Sequence, residues 1–255
     1  MNFGSFDLMA LLPFIGVGFA AQLVDGALGM AFGVISNTLL VGVLGVPPAQ
    51  ASARVHVVEC FTTAISGISH LLHGNIDKSL FFRLLIPGVT GGVLGAYVLT
   101  SLEAEVVKPF VLLYLTAIGI YLFVRGLLYP PHPRPAKHVP ALGLVGGFLD
   151  AAGGGGWGPV VTSNLLVQGA DPRRVVGTVS AVEFFLTISV SAAFISHLGL
   201  ADVAGATLGL LIGGIAGAPL GAFAAKRFAA KHMLVLVGTV LTLTSAYGAY
   251  RAWLG

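Results

Sequence analysis

The chain has 255 residues, 56% of them hydrophobic and only 9% charged, with a formal net charge of +3. So few charges could not cover a water-soluble globule of this size, which excludes a soluble enzyme or binding domain and specifies an integral membrane protein. The basic excess comes without aromatic-interleaved basic patches, so nucleic acid is not an expected partner, and the single Cys60 excludes a disulfide framework.

Apolar runs fall at about 8–24, 30–45, 50–72, 79–101 and 106–129. A second set falls at about 139–152, 159–169, 174–197, 203–225 and 233–253. The first seven residues lack the basic region of a secretory signal, so the first run reads as retained. A helix needs about 20 residues to cross the hydrocarbon core. The last three runs of each set meet that length, and the first two do not. These short runs are broken by the turn at 25–29, with Asp25, Gly26 and Gly29, and by the turn at 150–157, with Asp150, Gly153, Gly154, Gly155 and Gly156. Each pair reads as a hairpin of two short helices about a glycine turn. Irregular backbone of that kind is tolerated at depth only where protein or a water-filled cavity surrounds it.

The two sets repeat one another. Asp25 leads to Ser36 and Asn37, then Pro48, Glu59 and the element Gly91-Gly92-Val93-Leu94-Gly95-Ala96; Asp150 leads to Ser163 and Asn164, then Pro172, Glu183 and Gly213-Gly214-Ile215-Ala216-Gly217-Ala218. The proline-to-glutamate step is eleven residues in both. Counted as alternating crossings, ten of the thirteen Lys and Arg residues fall on one side, which the positive-inside rule assigns to the cytoplasm, with both termini outside. Each half then crosses an odd number of times, so the halves are inverted. The expected architecture is an all-α integral membrane protein of two inverted-topology repeats, each a short broken-helix hairpin plus three long transmembrane helices. Residues 1–129 form the first repeat, 130–138 a proline-rich cytoplasmic linker, and 139–255 the second.

Several residues could carry chemistry. Asp25 and Asp150 either cap the helix that follows, since Asp accepts backbone N–H bonds there, or face a pathway. The glycines of the turns expose backbone N–H groups suited to anions, whereas the Gly91 and Gly213 elements read as packing faces. Ser36, Asn37, Ser163 and Asn164 either bond between helices or face a ligand. Glu59 and Glu183 lie about nine residues into long runs, roughly 13 Å deep, where a lone ionised carboxylate must be protonated, paired or wet. They are the sharpest candidates for proton coupling. Arg54 and His56 are possible partners of Glu59 on its own helix; the second copy has Thr178 and Ser180 at those places, so Glu183 lacks them. No metal spacing or nucleophile motif occurs, so neither a metal nor a cofactor is expected.

The order of glycine turn, Ser-Asn pair, proline, glutamate and GGxxGA element, repeated over two halves, resembles the sulfite exporter TauE/SafE family of membrane permeases. The resemblance implies transport of sulfur-containing anions such as sulfite or organosulfonates across the bacterial inner membrane. The expected partners are then a small anion, protons and the lipid bilayer. An anion channel of the same fold, an intramembrane enzyme with Asp25 and Asp150 as an aspartyl pair, and a scaffold are the rival readings. Oligomeric state is not written in the sequence.

Overall fold

The computed structural model describes residues 8–28, 30–128, 137–167, 172–227 and 230–254, and among these the chain is helical throughout, without strands. Gly29 and most of the linker lie outside the described residues. The first half comprises α1 (Leu8–Leu28), α2 (Phe32–Asn37) continuing as a π-helical turn (Thr38–Val43), α3 (Pro48–Leu72), α4 (Lys78–Ser101) and α5 (Ala104–Leu127). The second comprises α6 (Val139–Gly153), a π-helical turn (Trp157–Thr162) leading into α7 (Ser163–Val167), then α8 (Pro172–Leu198), α9 (Leu200–Arg227) and α10 (Ala230–Leu254).

Local chemistry sets these boundaries. The matched prolines, Pro48 and Pro172, each open a long helix, where a missing N–H costs nothing. Asp77 caps α4 by accepting the Leu80 N–H at 3.0 Å. Gly154 ends α6 with a φ of +78°, a left-handed conformation that glycine adopts without strain. Helix α1 is 21 residues long and carries Asp25 in its final turn, so it extends past the expected boundary near residue 24 and is long enough to span the core. Its counterpart α6 has only 15 residues.

Among the described residues, α3, α4, α5 and most of α8 are long and apolar enough to cross a membrane. Helices α9 and α10, with 28 and 25 residues, have the length. Large apolar side chains stand exposed around the bundle, among them Ile65, Phe82, Ile86, Phe110 and Leu243. So much exposed hydrocarbon suits a lipid-facing surface.

The halves interlock. Helix α1 packs chiefly on α9 of the other half and α6 on α4, while the like pairs α3·α8 and α5·α10 pack on each other. Glycine makes the crossed pairs close. A Cβ on Gly91 would collide with the Leu144 carbonyl, one on Gly95 would stand 2.5 Å from Phe148 O, and one on Gly213 would collide with the Ile15 carbonyl. Both GGxxGA elements are therefore backbone-to-backbone packing faces. They pull α6 and α1 onto the opposite half and so carry the two broken segments to the middle.

Candidate functional site

The two aspartates make the same bonds in each half. Asp25 Oδ1 accepts the backbone N–H groups of Ala31 and Phe32 at 2.7 and 3.1 Å. Asp150 Oδ1 accepts those of Gly156 and Trp157 at 2.7 and 2.9 Å. Each carboxylate leaves the last turn of one helix and satisfies the first N–H groups of the next segment, which have no helical partner. Of the glycine donors that the sequence offered to an anion, Gly156 N–H is taken by the Asp150 carboxylate and the Gly154 and Gly155 N–H groups by the Asp150 carbonyl.

At these turns the halves touch. Gly155 lies against α2: a Cβ on it would stand 2.5 Å from Val34 N, and one on Gly33 would stand 3.2 Å from both Gly155 Cα and Glu59 Oε1. The Asn37 side chain abuts Gly154, and Gly158 abuts Met30. Gly155 has a φ of +135°, which only glycine adopts without strain. Tyr114 of α5 donates its hydroxyl to Gly155 O at 2.8 Å, and its ring fills the space beside Gly153.

Around this junction lies a cavity of about 250 Å³ whose wall includes Asp25, Glu59, Asp150 and Glu183. All four carboxylates singled out by the repeat therefore converge on one space. Gly155 and Gly156 contribute backbone to it, and Gln22, Thr62, Thr63, Ser66 and Ser180 contribute polar side chains. Glu59 is 7% exposed, and neither it nor Glu183 has a side-chain hydrogen bond or ion pair among the described residues. No group of three or more His, Cys, Asp and Glu side chains among these residues is placed to hold a metal ion.

The remaining candidates are distributed around this space. His56 does not serve Glu59; its Nε2 lies 3.1 Å from Asp150 Oδ2, across the two halves. Arg54 donates to Gln50 Oε1 at 3.2 Å and lies 5.8 Å from the Phe14 ring centroid. The cavity wall does not include Ser36, Asn37, Ser163 or Asn164. Ser36 Oγ and Asn37 Oδ1 are buried without a hydrogen-bond partner. Ser163 meets the Met30 sulfur at 3.4 Å, and Asn164 is exposed. This asymmetry has a local cause. Thirteen residues separate Asp150 from Ser163 but eleven separate Asp25 from Ser36, and the π turn at Trp157–Thr162 rotates the second pair around its helix. Gly26 sits in the final turn of α1.

Sequence reading passed over Gln22, Thr62, Thr63, Ser66, Ser180 and Tyr114. The first five carried a usable signal. Residues 59, 62, 63 and 66 fall on one face of α3, as 180 and 183 do on α8 and 22 and 25 on α1, the spacing of a polar stripe along a membrane helix.

Comparison with known proteins agrees with this picture. The family model described as Sulfite exporter TauE/SafE matches residues 14–248. The chain is 43% identical over 253 residues to "Probable membrane transporter protein YtnM" of Bacillus subtilis (strain 168), covering 96% of this chain and 84% of that protein. It is 24% identical over 262 residues to a "Probable membrane transporter protein" of Xylella fastidiosa (strain 9a5c), covering 96% and 97% of the two. No solved structure matches the chain at a significant level. A duplicated helical bundle with a polar cavity between its halves, matched almost end to end by these transporters, belongs to the sulfite exporter TauE/SafE family, and the chain is a multi-pass membrane transporter rather than an enzyme.

Proposed function

We propose that the protein is a secondary transporter that moves a small sulfur-containing anion, sulfite or an organosulfonate, across the bacterial inner membrane with protons as the coupling ion. The observation that carries this reading is the convergence of Glu59 and Glu183, one from each half, on a cavity also walled by Asp25 and Asp150. Two like charges about 4 Å apart repel by roughly 4 kcal/mol at an effective dielectric constant near 20. An anion therefore enters this space only when Glu59 or Glu183 carries a proton, and its movement is linked to theirs.

Alternating access follows from inverted halves rocking about the cavity, with the 130–138 linker on the cytoplasmic side and both termini outside. The unsatisfied Ser36 Oγ and Asn37 Oδ1 support a second conformation, because buried polar atoms without partners are costly. As the turns at Gly33 and Gly154 part, the Ser36 O–H and the Asn37 amide N–H, here spent on Gly33 O, reach the substrate, with Ser163, Asn164 and the glycine backbone as counterparts. Arg54 and His56 sit on the helix that carries Glu59 and set the asymmetry of the gate.

The test is transport in proteoliposomes with Glu59→Gln and Glu183→Gln. Each substitution should slow sulfite or sulfonate movement and flatten its dependence on pH. An unchanged rate and pH profile in both variants defeats proton coupling.

A further inference from the structure

We propose that the protein carries a second anion site, a vestibule on its outer face where Lys108 of α5 and Arg251 of α10 capture a singly charged oxyanion such as a sulfonate. The site rests on the transport reading and topology above and adds a station to the route.

A cavity of about 400 Å³ lies between α5, α10 and the π-helical turn that ends the first broken segment. Lys108 and Arg251 both line it, with Glu105, Tyr247 and residues 41–43. Neither cation makes a hydrogen bond or ion pair among the described residues. Two positive groups, one from each half, thus share one space without a bonded counter-ion.

Helix ends account for only part of this charge. Glu105 stands in the first turn of α5 and Arg251 in the last turn of α10, the ends that favour those signs. Lys108 lies near the start of α5, the positive end, where the dipole offers a cation nothing. Over the alternating crossings, Lys108 and Arg251 are also two of the three basic residues outside the cytoplasmic set, the third being Arg54. They stand against the positive-inside trend, and the fold gathers them into one cavity.

An arginine fork and a lysine ammonium hold an oxyanion by charge-assisted hydrogen bonds, and the exposed Tyr247 adds a hydroxyl. With Glu105 in the wall the net charge is +1, which suits one negative charge better than two. The central cavity has no Lys, Arg or His in its wall, so drawing an anion in by charge falls to the outer space. One element joins the two. Residues 32–34 wall the central cavity and residues 41–43 the outer one, at most about 18 Å of helix from end to end. An anion held by Lys108 and Arg251 therefore waits at the far end of the segment whose movement opens the cavity.

Tyr247→Cys in a Cys60→Ser background reads the local charge without requiring transport. Right-side-out membrane vesicles would be treated with two impermeant methanethiosulfonates, one ending in a sulfonate and one in a trimethylammonium. Adding Lys108→Gln and Arg251→Gln should lower the anionic-to-cationic rate ratio by about tenfold, and Lys108→Gln alone by about threefold should the pair not assemble. Glu105→Gln should raise the ratio, and 2-hydroxyethanesulfonate should slow the anionic reagent unless the cations are removed. An unchanged ratio, no protection, or a cysteine that neither reagent reaches overturns the vestibule. Protection seen in phosphatidylcholine proteoliposomes but abolished by added phosphatidylglycerol assigns the site to a lipid headgroup and overturns capture of the free anion. Protection intact in a wild-type protein that moves neither sulfite nor sulfonate defeats the transport reading and leaves the anion site standing.

Discussion

His56 and Asp150 meet with Nε2 and Oδ2 3.1 Å apart, joining α3 of the first half to the broken α6 of the second. Beside them Ser52 donates its hydroxyl to the Ala151 carbonyl at 2.8 Å, and His56 Nδ1 faces the Ser52 carbonyl at 2.8 Å. The second half has Ser180 in the place of His56, and among the described residues Asp25 receives no equivalent tie. One broken segment is bound to the opposite half by a buried side-chain bridge; the other is held by its own cap and by packing.

Removing this bridge should cost stability. His56→Ala leaves Asp150 Oδ2 without its imidazole partner, and an unsatisfied buried acceptor costs about 1–3 kcal/mol. Thermal unfolding of the purified variant should fall by several degrees. A melting temperature equal to wild type would mean that the bridge contributes nothing to holding the halves.

The crossed glycine faces give a contrasting pair. Gly147→Ala places its methyl into the Gly88 carbonyl, backbone that cannot rotate away, and overpacking of this kind costs about 1–3 kcal/mol. Gly16→Ala on α1 meets nothing within 4 Å and should match or exceed wild-type stability, because alanine favours the helix. Yield and melting temperature in detergent would separate them, and equal behaviour would contradict the backbone-to-backbone packing of α4 and α6.

Much of this was legible from the repeat. The carboxylates at 25, 59, 150 and 183 were visible as matched positions, and the structure brings all four to one cavity because α1 and α6 each pack on the opposite half. The Ser-Asn pairs were matched equally well, yet they part company, since the π turn before Ser163 takes up two extra residues and leaves Asn164 exposed. A motif comparison cannot see a change of helical winding. His56 was read against Glu59, its neighbour on the same helix face, and pairs instead with a residue 94 positions away; nothing local specifies such a contact. Tyr114 escaped for the same reason, being one of two tyrosines in an apolar helix until Gly155 is brought to its hydroxyl.

The Tyr114 clamp makes a prediction about the gate. Tyr114→Phe deletes the bond to Gly155 O while keeping the ring beside Gly153, so stability should fall by only about 1 kcal/mol. Transport should change more than stability, because the turn that walls the cavity is released. A variant with wild-type transport kinetics would show that the clamp is not part of the moving element.

Proton coupling has a clear sign. Under the proposed coupling at least one of Glu59 and Glu183 holds a proton when negative charge is admitted, so anion movement should slow as pH rises on the loading side. Glu59→Gln and Glu183→Gln mimic the protonated form and should lose that slope, which initial rates measured across a pH series would show.

The account stands on the two broken segments meeting in the middle of the protein, and Met30 and Ser163 report that contact, with Sδ and Oγ 3.4 Å apart. Met30→Cys and Ser163→Cys, combined in a Cys60→Ser background and treated with iodine in membranes, should form an intramolecular disulfide that stops transport until it is reduced. Failure of the pair to cross-link, while either single cysteine accepts a water-soluble thiol reagent from outside the bilayer, would contradict the cavity between the halves.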